Sequence, residues 1–137
     1  MSEPCTDLER FMRGEMELGA FAHREHLRMG FEMLHRYDFA ETLFRYSKAL
    51  RAMAARAGKP QAFHQTVTVA FLALIAERIG ADGHTDFDSF ARANPDLLER
   101  AALERWYPRQ RLASDAAKRT FVLPEPRCTI VADVNKH

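Results

Sequence analysis

FAHREHLRMGFEMLHRY, residues 21–37, decides the fold of this chain. A helix advances about 100° per residue, so Leu27, Gly30, Leu34 and Tyr37 fall within about 40° of His23, and His26, Phe31 and Met33 within about 80°. Arg24, Arg28, Glu32, His35 and Arg36 take the opposite side. One apolar stripe and one charged face predict an amphipathic helix over residues 22–36. His23 and His26 share the buried stripe, and His35 belongs to the surface.

Reading outward, Asp38 with Glu41 three residues on is a helix start. Phe39, Leu43, Tyr46, Leu50 and Met53 then recur on one face until Gly58. Pro60 suits the first turn of a helix, and residues 60–79 have the length and period of a third, ended by Gly80 and Gly83. Towards the N-terminus, residues 7–16 place Leu8, Phe11 and Met12 together, and Gly19 with Ala20 loosens the chain before the opening stretch. Beyond the third helix, residues 86–93 and 95–107 read as shorter helical segments. Asn94 and Pro95 open the second of these, Trp106-Tyr107 packs its end on the core, and a last turn starts at Ser114. From about residue 121 the chain is extended, because Pro124 and Pro126 exclude a helix, and CTIVADV at residues 128–134 suits an extended segment or edge strand. The expectation is a single all-α domain over residues 1–137: a small up-down helical bundle with additional short C-terminal helices and an extended tail.

With 20 basic residues against 19 acidic and a net charge of +1, no global field attracts nucleic acid or a membrane surface. Arg45, Lys48, Arg51 and Arg56, interleaved with Phe44 and Tyr46, read as a solvated helix face. Cys5 and Cys128 have no motif spacing, no signal peptide opens the sequence, and no apolar run spans a bilayer, so a cytoplasmic protein is expected. Glycine-rich phosphate loops and nucleophile elbows are missing from the sequence.

The histidines carry the chemistry. On the third helix Thr68, Phe71, Ile75 and Arg78 fall within about 40° of His64. In an up-down-up bundle the first and third long helices start at the same end, which brings His23, His26 and His64 together. Three imidazoles form a face that holds one divalent transition metal, zinc, iron or copper, and leaves a position open for water or substrate. Glu25 and Glu77 point away, so the centre expected is mononuclear. Thr68 would orient a ligand or water, and Gly30 would leave room. Without metal, the same histidines act as acid, base or hydrogen-bond groups in a pocket with Phe31, Tyr37, Tyr46 and Phe71. A third alternative is a protein-interaction module with structural histidines. The partner expected is a small-molecule ligand or substrate, and a homodimer is compatible with the sequence without being required by it.

The pattern F-x-H-x-x-H-[LV]-R, here FAHREHLR at 21–28, followed by H-x-T-x-T, here HQTVT at 64–68, resembles a family of small uncharacterised bacterial helical proteins. RLASDAAKRTFVLPEP is similar to that group's C-terminal portion. The resemblance covers residues 11–126 or so. It implies a bacterial cytosolic helical protein, brings forward His23, His26, His64, Thr66 and Thr68, and supplies no activity. Ala22 departs from it where a small polar cap is expected.

Overall fold

A computed structural model describes residues 6–17 and 23–125, and among them every regular element is helical. In order these are α1 Asp7–Met12, α2 His23–Arg36, α3 Phe39–Arg56, α4 Gln65–Asp82, α5 Phe87–Ala93, α6 Arg109–Leu112 and α7 Asp115–Arg119. Turns of 3₁₀ helix lie at Pro60–Ala62, Pro95–Leu98 and Arg100–Arg105. The all-α bundle with short C-terminal helices is thus the observed fold. Several ends fall where side-chain chemistry puts them. The Asp38 carboxylate accepts from the Glu41 N–H at 2.8 Å and caps α3. Asp86 and Ser114 cap α5 and α7 in the same way, and Gly83, with φ 70°, closes α4 in the left-handed conformation that favours glycine.

Helices α2 and α3 run antiparallel: the Thr42 hydroxyl, early in α3, donates to Met33 O late in α2, while the Tyr46 hydroxyl donates to His26 O in the first turn of α2. Helix α4 lies against both. A Cβ on Gly30 would stand 3.0 Å from both Leu72 Cδ2 and Ile75 Cδ1, so this glycine lets α2 approach α4. The core draws Leu27, Phe31 and Met33 from α2, Tyr46 and Met53 from α3, and Leu72 and Ile75 from α4, with Phe11 of α1 beside Tyr46. Phe31 faces a second neighbour, α5, through Phe87 and Phe90.

Several expectations need correction. The third helix starts at Gln65, because Pro60 opens a separate 3₁₀ turn and Phe63 follows it in extended conformation, at φ −71° and ψ 134°. Gly80 lies inside α4, which continues to Asp82. Residues 95–107 form two 3₁₀ turns because Asn94 makes no cap bond to the segment behind it. Its amide bonds back to Phe90 O and its oxygen accepts from Arg78. Tyr107 is buried as expected, whereas Trp106 is 44% exposed. Phe21, Ala22, the Gly19-Ala20 link, both cysteines and the CTIVADV segment lie outside the described residues. No helix among the described residues is long and apolar enough to cross a membrane.

The turn at Pro95–Leu98 is anchored by charge. Arg78 donates twice to Asp96, at 3.1 and 2.8 Å, and Arg105 adds a third bond at 2.8 Å. The bonded Arg78 guanidinium holds the Asp96 carboxyl below the ordinary aspartate range. A carboxyl depressed in the folded state contributes stability above its unfolded value, about pH 4, and loses it as pH falls through the folded value. Urea unfolding should therefore show stability dropping below about pH 4, with a shallower drop in Asp96→Asn. Gly30→Val, which forces branched carbons into a contact already at its limit, should cost about 1–3 kcal/mol in the same assay.

Candidate functional site

A cavity of about 370 Å³ opens at the end of the bundle where α2 and α4 begin. Helix α2 supplies His23 and His26; α3 supplies Tyr46, Leu50 and Ala54; the entry into α4 supplies Ala62, Phe63 and His64; and α4 supplies Val67, Thr68 and Phe71. Its size falls at the lower end of the range of small-molecule sites, about 300–1,000 Å³. The walls are chiefly apolar, with imidazoles and two hydroxyls among them.

Each imidazole is held differently. His23, half-buried in the first position of α2, stacks on Phe71 with ring centroids 5.1 Å apart, and its Nε2–H donates to Leu97 O at 3.0 Å. That bond uses the proton of a neutral ring and leaves the Nδ1 lone pair as an acceptor. His26 is also half-buried, with Nδ1 3.5 Å from the Tyr46 hydroxyl. Burial pushes the Tyr46 phenol well up, so it stays a neutral donor, committed to His26 O at 3.0 Å. His64 is the N-cap of α4: its Nδ1 accepts from the Val67 N–H at 3.1 Å and its Nε2–H donates to Leu112 O at 2.6 Å. Both nitrogens are occupied, and the two partners fix the tautomer.

The H-x-T-x-T pattern is accounted for by this cap. Thr68 Oγ1 donates to His64 O at 2.7 Å, steadying the capping residue from one turn above. Thr66, fully buried, donates to Thr120 O at 2.7 Å and accepts from the Val122 N–H at 3.0 Å. Together with Tyr107 and Arg111, which donate to Val122 O and Leu123 O, these contacts strap the C-terminal segment across the start of α4.

The structure thus brings His23, His26, His64, Tyr46, Thr68 and Phe71 to one cavity and leaves out Gly30, Phe31, Tyr37 and Thr66. Gly30 serves helix contact, Phe31 turns to α5, and Thr66 faces the strap. Tyr37 sits just past the far end of α2, bonded to Met12 Sδ and covered by Arg45. Leu50, Ala54, Ala62, Phe63 and Val67 were not anticipated. Leu50 was visible on the apolar face of α3, but Ala62 and Phe63 depend on the break after Pro60, which helical phase could not show. His35 is exposed as expected, yet its ring packs on Phe31 and its nitrogens lie 2.9 and 3.0 Å from Phe31 O and His84 O. It joins α2 to the α4–α5 loop and is not an idle surface residue.

A three-imidazole metal face fits these residues poorly. Metal ligation needs a ring lone pair, and the only one on His64 accepts the Val67 N–H. Among the described residues no three His, Cys, Asp or Glu side chains are grouped to hold an ion. Glu25 is bonded to Arg28 and Glu77 is exposed, so neither completes a set.

No protein-family model matches the chain, and no curated protein or solved structure matches it significantly. The site's chemistry has to be read from its own geometry. Thr66→Val should leave the Thr120 carbonyl and the Val122 N–H without this partner and cost about 1–3 kcal/mol in chemical denaturation, with Thr66→Ser restoring much of the loss.

Proposed function

We propose that this protein binds a small, largely apolar molecule in the histidine cavity without a resident metal. The observation that carries this reading is a concave, mainly apolar space with three imidazoles in its wall, at least two of them held by backbone bonds. Such fixed, sparse polar groups orient a ligand while the apolar wall supplies affinity. Leu50, Val67 and Phe71 would contact the body of the ligand, and His23 Nδ1 would accept a hydrogen bond from it. An acceptor of this kind can also take a proton, so an enzyme that uses His23 as a base belongs to the same proposal.

Metal binding by His23, His26 and His64 is the second reading, favoured by their meeting at one cavity. It requires His64 to give up its cap on α4. The price of that rearrangement is a lost N-cap, about 0.5–2 kcal/mol, before any ligation is gained.

The neutral fluorophore N-phenylnaphthylamine separates the two. It should bind saturably at one site, bind less in Phe71→Ala, and fail to bind in Ala62→Trp, which plugs the mouth from an exposed turn. Zinc, iron and copper salts should leave the melting temperature unmoved, because a ligand that does not bind the native state cannot stabilise it. A metal-induced rise that vanishes in His23→Ala, with no fluorophore binding, would transfer the assignment to the metal reading.

A further inference from the structure

We infer that the natural ligand of the histidine cavity is an organic anion, its apolar body inside and its acidic group at a cationic rim formed by Arg51, Lys118 and Arg119, an assignment that rests on the small-molecule reading of the same cavity. A second cavity, about 420 Å³, adjoins the first at Phe63, which lines both. Arg51, Lys118, Arg119 and Asp115 are in its wall. Helix α3 serves both spaces: Leu50 and Ala54 line the first, and Arg51, with its guanidinium 4.7 Å over the Phe63 ring, lines the second.

The rim cations lack the carboxylate partners that six other arginines of the chain have. Arg24, Arg28, Arg45, Arg78, Arg105 and Arg109 each meet a carboxylate. Arg51, Lys118 and Arg119 enter no ion pair among the described residues. Arg51 donates to the neutral Gln65 side chain and Arg119 to a backbone carbonyl. Against these three charges the same cavity offers one carboxylate, Asp115. Unpaired cations around a concavity concentrate its field and attract a counter-charge.

The first cavity supplies the complementary reason. The N–H and O–H groups of His23, His64, Tyr46 and Thr68 already donate to Leu97 O, Leu112 O, His26 O and His64 O. An acidic group placed among them would meet committed donors and the His23 lone pair. Turning outward past Phe63 brings it to charge-assisted donors at the rim.

Naphthylacetate and its neutral isostere naphthylacetamide, each displacing N-phenylnaphthylamine from the full-length protein, test this directly. The acid should bind about tenfold tighter at low salt, as expected of a charge-assisted contact. High salt, or the exposed pair Lys118→Gln and Arg119→Gln, should bring it down to the amide while the amide and the fluorophore are unaffected. Unchanged circular dichroism would confirm that the pair folds. Naphthyl phosphate run alongside binds tighter than the acid if the rim serves phosphate esters and weaker if it serves carboxylates. Equal affinity of acid and amide, with fluorophore binding intact, would overturn the anion assignment and leave the cavity reading standing. Acid binding that survives Ala62→Trp would also overturn it, since the anion would then sit in the cationic cavity alone. Absence of fluorophore binding would remove both.

Discussion

The imidazole of His64 joins three parts of the chain at once. Its Nδ1 satisfies one of the orphan N–H groups that every helix start presents, its Nε2–H holds the carbonyl of Leu112 from near the C-terminus, and its ring stands in the wall of the cavity. Neither bond is long-range in energy, yet their joint geometry decides where α4 begins. Once that point is set, Thr66 and Thr68 are placed by helical geometry alone: Thr66 turns to the strap and Thr68 bonds back to His64 O. The cavity exists because the chain leaves α3, makes the Pro60–Ala62 turn, and enters α4 at this cap and not earlier.

The opposite wall is set by a parallel device. His23 starts α2 and reaches Leu97 O, in a turn held to α4 by the Arg78–Asp96 pair. Two helix starts are thus each tied by a histidine to a backbone carbonyl far along the sequence. The imidazoles converge at one end of the bundle because the bundle is antiparallel. The rings of His23 and His64 are each turned towards a separate carbonyl, that of Leu97 and that of Leu112. Convergence of ring positions and convergence of lone pairs are separate conditions, and metal binding demands the second.

Periodicity made much of this legible. The stripe in residues 21–37 is buried through Leu27, Gly30, Phe31 and Met33, the Asp38 cap is where the spacing puts it, and His23, His26 and His64 do share an end. The same arithmetic failed wherever burial arises from elements that periodicity does not orient. Phe31 lies on the stripe but packs on α5, and Gly30 lies near the candidate site but faces Leu72 and Ile75. His64 was given a helical phase although it is not in the helix; a proline four residues earlier was compatible both with a helix's first turn and with a separate 3₁₀ turn. Nothing in the spacing separates those cases, because the difference lies in whether residue 63 is extended. The strap formed by residues 111–125 was equally illegible, since its hydrogen bonds join Thr66 to residues more than fifty positions away.

Net charge was the least informative quantity of all, for a physical reason. A total of +1 excludes a strong far field, but the field inside a cleft is governed by which charges lack a neighbour, within a Debye length of about 8–10 Å. Six arginines here are neutralised locally by an acid along a helix or across an interface, as with Arg45 and Glu41 or Arg78 and Asp96. Such pairs cancel at short range and contribute little beyond themselves. Arg51, Lys118 and Arg119 come from α3 and α7, elements far apart in sequence that the strap brings together, and no acid pairs with them. At this cleft three cations face one carboxylate, and the contacts that close the C-terminal segment over α4 also bring that charge beside the cavity.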